Sequence, residues 1–287
     1  MSRYLIIGAW GQLGTDLHKT FDHAGELIAL SHQEIDVCDY TGCQRQLDRL
    51  RPDFVINLAA YHRVDECEDQ YEKAFAVNAH AVGHLAKVCQ DIGAVLVHFS
   101  TDYVFNGSRK IPWKETDPTD PLNAYGASKR AGESLLKMWC QRYFIFRVTG
   151  LYGVAGSSGK GGNFVQTMLR MARENRKIRV VDDQILTPTY TMDLARKVWE
   201  VIRTGQYGIY HCTNAGECSW YEFADQIFKQ SRINANLSAQ STAESGAKAR
   251  RPPYSVLAHE NLAKLGLDDM PPWQDALARY LKEAGVI

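Results

Sequence analysis

Apolar and polar positions follow two rhythms along the first half of the chain. Short, largely apolar runs mark strands covered on both faces. They fall at Tyr4 to Ile7, Leu27 to Leu30, Phe54 to Leu58, Val95 to Phe99 and Phe144 to Val148. The longer stretches between them predict helices over Gln12 to Ala24, Tyr40 to Arg51, Tyr71 to Ile92 and Tyr125 to Arg142. Pro52 stops the second of these. Strand and helix in alternation predict an α/β fold: a Rossmann-like, doubly wound parallel sheet with helices on both faces. Ligands of such sheets bind beyond the carboxyl ends of the strands, so residues that follow strands carry the most weight.

The second half is less regular. Gly150 to Gly162 is glycine-rich and expected to be mobile. Helices are predicted over Asn163 to Arg173 and Asp193 to Arg203, and strands over Ile178 to Val181 and Tyr207 to Cys212. Residues 235 to 256 are polar, small and proline-containing, and read as loop. A length of 287 residues suits one large α/β domain with a smaller C-terminal α/β lobe.

Composition narrows the class. Apolar content of 45% and charged content of 23% are ordinary for a soluble globular chain. The formal net charge is zero and no long basic run occurs, so neither nucleic acid nor an anionic membrane is expected as a partner. No apolar stretch reaches the roughly 18 residues a membrane span needs, and the first apolar run is too short for a signal-peptide core. A soluble, cytoplasmic protein is expected. The seven cysteines contain no C-x-x-C pair and read as reduced thiols. His80 and His84 stand four apart without an evident third ligand, and no metal is expected.

The chemistry begins at Gly8-Ala9-Trp10-Gly11-Gln12-Leu13-Gly14, between the first strand and the first helix. Glycines permit a tight turn and close backbone approach, and a helix start offers unpaired N–H groups to a pyrophosphate. A dinucleotide is the implied ligand. The second strand runs into Ser31-His32-Gln33 with no acid at its tip, which disfavours a strict preference for NAD. No arginine is placed for a 2′-phosphate either, so NADPH and NADH both stay open. Asp36 and Val37 come next and suit the adenine edge. Residues 1–153, with 184–212 added to their sheet, form the expected dinucleotide-binding domain. Residues 154–183 and 213–287 form the expected substrate-binding lobe.

Tyr125 and Lys129, four apart, share a helix face. A nearby ammonium lowers a phenol's pKa and fits it to give or take the proton that accompanies hydride transfer. Ser100-Thr101-Asp102 closes the fourth strand, where a hydroxyl can polarise a substrate carbonyl.

Together these runs resemble the extended short-chain dehydrogenases/reductases and, more narrowly, the dTDP-4-dehydrorhamnose reductases. The resemblance spans nearly the whole chain. It rests on Asn57-Leu58-Ala59-Ala60-Tyr61 with Val64-Asp65, Ser100 to Phe105, Tyr125 to Lys129 and Gly162-Asn163-Phe164. It continues through Asp182-Asp183-Gln184 with Pro188-Thr189, Ser219-Trp220 with Phe223-Ala224, and Arg250-Arg251-Pro252 with Ser255. It implies reduction of the C4 ketone of a dTDP-linked 4-dehydro-6-deoxyhexose, with dTDP-4-dehydrorhamnose becoming dTDP-L-rhamnose for cell-envelope polysaccharide. Tyr125 would donate the proton, Lys129 would assist it and hold the nicotinamide ribose, and Thr101 would bind the reacting oxygen. Gly8, Trp10, Gly11, Gln12 and Leu13 would hold the pyrophosphate, and Leu58, Ala59, Ala60 and Tyr61 would line the cofactor cleft. Asp102, Tyr103, Asn163 and Arg251 would contact the sugar nucleotide. A guanidinium suits a diphosphate on physical grounds as well.

This sequence departs from the pattern at Gly150, where the family usually carries a tryptophan belonging to the sugar site, and at Leu186, where a small residue is common. Another nucleotide sugar therefore stays open as the substrate. So does a dinucleotide-binding regulatory role resembling that of the methionine adenosyltransferase regulatory subunit, although intact Tyr125, Lys129 and Thr101 favour turnover. A homodimer is compatible with the sequence.

Overall fold

The computed structural model describes residues 1–23, 25–156 and 161–287. The first half runs β1 (Arg3–Ile7), α1 (Gln12–Phe21), β2 (Glu26–Leu30), α2 (Tyr40–Leu50), β3 (Phe54–Asn57), α3 (Val64–Asp69), α4 (Tyr71–Phe75), α5 (Ala81–Ile92), β4 (Val95–Thr101), α6 (Ala124–Trp139) and β5 (Tyr143–Val148). The second half runs β6 (Leu151–Tyr152), α7 (Phe164–Arg173), β7 (Ile178–Val181), β8 (Ile185–Leu186), β9 (Thr189–Tyr190), α8 (Thr191–Ile202), β10 (Gly208–His211), β11 (Cys218–Ser219), α9 (Trp220–Ser231), β12 (Leu237–Gln240), α10 (Glu260–Lys264) and α11 (Trp273–Glu283).

Six strands form one sheet in the order β10-β5-β4-β3-β1-β2, parallel throughout. The chain leaves β1 for β2 on one side and returns past β1 to β3 on the other. The crevice at this reversal is where ligands of doubly wound sheets bind. Alternate residues of each strand feed opposite faces. Tyr4 and Ile6 of β1 pack with Leu17 and Phe21 of α1 and Leu194 and Val198 of α8. Leu5 and Ile7 pack with Leu47 of α2, Leu85 of α5 and Leu136 of α6. All seven residues of β4 are buried, the polar His98, Ser100 and Thr101 among them. A third core, with Leu169 of α7, Ile178 of β7, Phe223 of α9 and Leu277 of α11, lies apart from the sheet.

Three expectations change. The stretch 235 to 256 is not all loop: β12 pairs in parallel with β7, Leu237 opposite Ile178. Its side chains stay half-exposed on a two-stranded ribbon, so burial never imposed an apolar pattern. The helix expected from Tyr71 to Ile92 is interrupted by a π turn at Ala76–His80. Within 184–212 only β10 joins the six-stranded sheet. Ile185–Leu186 pairs with β11, and Thr189–Tyr190 with β6, itself inside the glycine-rich stretch expected to be mobile. Part of that stretch, and Ala24 at the expected end of the first helix, lie outside the described residues.

None of the seven cysteines, all among the described residues, is joined in a disulfide. Among the described residues no helix is long and apolar enough to cross a membrane, and no three His, Cys, Asp or Glu side chains gather as a metal site. His84 stacks on Tyr40, with ring centroids 4.8 Å apart.

Candidate active site

A cleft of about 950 Å³ runs across the carboxyl ends of β1, β3 and β4 into the third core's lobe. At one end is the glycine turn. Gly8 takes the left-handed conformation (φ 81°), and Gly14 lets α1 close on the turn, since a Cβ there would lie 2.5 Å from the Ala9 carbonyl oxygen. Gly11 caps α1 without a side-chain hydrogen bond, and no acid occupies the first helical turn. The N–H groups there remain available to an anion, in a field that favours one. Trp10 is exposed at the mouth, and the Gln12 Oε1 is buried without a hydrogen-bond partner among the described residues, although its Nε2 donates to the Leu151 carbonyl at 3.2 Å. Gly8, Trp10, Gly11, Gln12 and Leu13 all line the cleft. A glycine cradle and an open helix start, both offering N–H donors, fit a dinucleotide's pyrophosphate.

Beside the turn, Ser31, His32, Asp36 and Val37 form the wall at the tip of β2. One Asp36 oxygen already accepts from the Cys38 N–H at 2.9 Å, which fixes the carboxylate's direction. The opposite wall is Leu58, Ala59, Ala60 and Tyr61. Two buried asparagines hold this segment. Asn57 Oδ1 accepts from the Ala59 N–H at 3.1 Å. Asn78 accepts from the Tyr61 N–H at 2.8 Å and donates to the Tyr61 carbonyl at 2.9 Å. Asn78 sits in the π turn, and such turns favour functional sites because they re-aim a side chain. Asn78 is fully buried, a property no pattern in the sequence announced.

At the centre, α6 is capped by Asn123, which accepts from the Gly126 N–H at 2.8 Å and donates to the Arg250 carbonyl at 2.7 Å. This places Tyr125 and Lys129 on the cleft face, with Thr101, Asp102 and Tyr103 opposite. Thr101 Oγ1 donates to Asp102 Oδ1 at 2.9 Å and shares a hydrogen bond with Tyr125. Burial pushes the Asp102 carboxyl up to about 6, against hydrogen bonds from Ser255, Thr149 and Thr101.

The expected lowering of the Tyr125 pKa by Lys129 is absent. Burial raises the phenol well above its ordinary value, a hydrogen bond with Thr101 opposes that, and the Asp102 charge adds to it. The Lys129 amine instead donates to the Phe99 carbonyl at 2.6 Å and lies 3.3 Å from His98 Nε2. Burial brings Lys129 down to about 8, with Glu133 opposing. The helical spacing put both side chains on one face, but the strand beneath decides where the amine points.

At the far end the walls are Asn163, Phe164, Thr167, Gln184, Leu186 and Trp220. Asn163 is largely committed to structure. It closes a capping box with Gln166 and donates to the Gly153 carbonyl at 2.8 Å. Phe164 and Trp220, the first residues of α7 and α9, meet with centroids 4.7 Å apart. No role had been assigned to them, although both fall in the runs that carry the family resemblance. The two departures touch each other: Gly150 has φ 56°, and a Cβ there would come within 2.9 Å of Leu186 Cδ1. Arg251 does not line the cleft, although Pro252 beside it does. Its Nη2 pairs with Asp65 Oδ2 at 2.9 Å, and it hydrogen-bonds Tyr103.

A glycine turn feeding a sheet crevice, with a tyrosine and a lysine set against a hydroxyl-bearing strand end, is the architecture of the extended short-chain dehydrogenases/reductases. Within that class the chain belongs to the RmlD substrate binding domain family, whose model matches residues 2–286. It is 41% identical over 284 residues to the spore coat polysaccharide biosynthesis protein SpsK of Bacillus subtilis, spanning 99% of this chain and 98% of that one. It is 36% identical over 295 residues to the dTDP-4-dehydrorhamnose reductase of Escherichia coli, spanning 97% of each. The crystal structure of the dTDP-4-dehydrorhamnose reductase of Bacillus anthracis in complex with NADP matches with a TM-score of 0.94 at 39% identity, covering 99% of this chain and 100% of that one.

Proposed function

We propose that this protein reduces the C4 ketone of a dTDP-linked 4-dehydro-6-deoxyhexose, with dTDP-4-dehydrorhamnose as substrate and dTDP-L-rhamnose as product. The observation that carries the reading is the grouping of Tyr125, Thr101 and Lys129 on one cleft whose other end is the glycine cradle. On this reading residues 1–153, joined by β10, hold the dinucleotide, and residues 154–183 with 213–287 hold the nucleotide sugar.

NADPH or NADH, bound along the glycine turn and the Leu58 to Tyr61 wall, supplies the hydride. Asp36 and Val37 meet the adenine. Tyr125 gives its proton to the ketone oxygen, and Thr101 hydrogen-bonds the same oxygen and polarises it. A phenol held protonated by burial is in the state this direction of reaction requires. Lys129 assists Tyr125 and holds the ribose. Asp102, Tyr103 and Asn163 contact the sugar nucleotide, and Arg251 joins them by leaving its pair with Asp65 to meet the diphosphate.

Gly150 and Leu186 favour one alternative within the same chemistry, a different nucleotide-linked 4-ketosugar, because together they reshape the wall that would face the sugar ring. The test is NADPH and NADH oxidation by the purified protein with dTDP-4-dehydrorhamnose and a panel of other nucleotide-linked 4-ketosugars. Turnover is expected, with kcat falling roughly 10²- to 10⁴-fold in Tyr125→Phe. No turnover with any of them, or a Tyr125→Phe variant as active as the parent, would sink the reading.

A further inference from the structure

Beneath the active-site helix lies a buried chain of polar groups that the proposed reaction uses only at its Lys129 end. Asn57 and His98 face each other across β3 and β4, and both are buried, as is Lys129 above them. Asn57 Oδ1 is taken by the Ala59 N–H, so its amide NH₂ faces His98 Nδ1, 3.4 Å away. An NH₂ can only donate, so Nδ1 accepts, and a neutral imidazole then carries its proton on Nε2. Double protonation is ruled out on two grounds. Burial holds the His98 pKa well below its ordinary value, and an Nδ1–H would meet the Asn57 donor. The His98 Nε2–H points at Lys129 Nζ, 3.3 Å away. An ammonium has no lone pair to receive it, whereas an amine does. The amine in turn donates to the Phe99 carbonyl.

We propose that His98 is a positioning residue that docks Lys129 on the sheet as a neutral amine, through its Nε2–H. Hydrogen-bond polarity then runs one way, from Ala59 through Asn57, His98 and Lys129 to Phe99. The charges near Lys129 are Glu133, one turn along α6, and Arg147 of β5, which holds Glu133 by two hydrogen bonds at 2.9 and 2.7 Å. Asp102 and the Cys67 thiol bear on Tyr125. Burial brings the amine–ammonium equilibrium of Lys129 to about 8, so below that pH the ammonium, released from this dock, is the form that can stabilise a Tyr125 phenolate or return a proton to it. His98 thereby sets the alkaline limit of activity.

The effect on turnover rests on the proposed function, but the tautomer does not. Nitrogen NMR of the imidazole rings in the protein without added nucleotide is expected to show His98 protonated at Nε2. Protonation at Nδ1 overturns the proposal. In steady-state kinetics, His98→Phe removes the donor, and His98→Gln can turn an oxygen toward an ammonium. Both are expected to move the alkaline limb of kcat/KM up by roughly one pH unit. A limb that stays or moves down overturns the proposal, since an accepting Nε2 would have favoured the ammonium. If the variants fail to fold, the tautomer of the parent protein still decides. If the parent shows no turnover with any nucleotide-linked 4-ketosugar, the proposed function falls while the NMR result stands.

Discussion

Asp102 is a carboxyl group held where water cannot solvate its charge. Burial outweighs the three hydroxyl groups that hydrogen-bond it and lifts its pKa from 3.8 to about 6. An acid whose pKa is raised in the folded state adds stability at low pH, and loses that contribution as pH rises from about 4 through 6. Above that window the protein carries a buried charge costing on the order of 2 kcal/mol. Asp102→Asn is therefore expected to be more stable than the parent at pH 7.5, with the gain vanishing near pH 4, as urea unfolding at the two pH values would show. A gain of the same size at both would mean that ionisation is not the cause. Tyr125 follows the same logic: burial keeps a proton on a group that donates one on the proposed reading. Gly150 also belongs to this scale, through its left-handed backbone and its closeness to Leu186 in the cleft wall.

Between elements, the closest approach in the site is that of α6 to the π turn. A Cβ on Gly132 would lie 2.1 Å from the Asn78 backbone oxygen, so only glycine lets the two segments meet. The contact matters because Asn78 also donates to Ser128 of α6 at 2.9 Å and pins Tyr61 in the cofactor wall. Gly132→Ala is expected to destabilise the fold by about 1–3 kcal/mol and to weaken NADPH binding, although it touches no part of the cleft. Denaturant unfolding and a fluorescence titration with NADPH would check both. Unchanged stability with unchanged affinity would show that the helix yields without cost. A second tie, the buried bidentate pair of Arg147 with Glu133, joins β5 to α6 and is extended by the Arg147 contact with His211 of β10 at 3.3 Å. Neither partner can be lost alone without leaving a buried charge.

For the whole molecule, two cores on the sheet faces and a third in the second lobe leave the cleft between them as the place where a ligand couples the parts. A ligand that binds only the folded state stabilises it by mass action, by about 2.7 kcal/mol at roughly 100 times its Kd. NADPH is expected to raise the thermal midpoint of the parent protein and of Tyr125→Phe alike. It should fail to do so in Gly14→Ala, where the added methyl forces α1 away from the turn. Differential scanning fluorimetry would test this, and an equal NADPH shift in Gly14→Ala would remove the glycine turn from the binding site.

Local rules explain what was legible in the sequence. Apolar runs needed on both faces of a parallel sheet exposed β1 to β5, and glycine spacing exposed the turn, because backbone geometry restricts which residues can stand there. Tyr125, Lys129 and Thr101 were legible for the same reason, being fixed to a helix face and a strand end. What needed the tertiary structure was every property set by a neighbour distant in sequence. The pairing of β12 with β7 left no apolar imprint on its own strand. The break in the long helix packs against Gly132, more than fifty residues later. Arg251 is turned toward Asp65 and Tyr103 by a contact that no spacing encodes. The direction of the Lys129 amine depends on His98 and Phe99, which only β-sheet packing brings beneath it. The sequence determined which groups could do chemistry here, and packing decided which of them carry a proton and where they point, since burial and hydrogen-bond partners act through space.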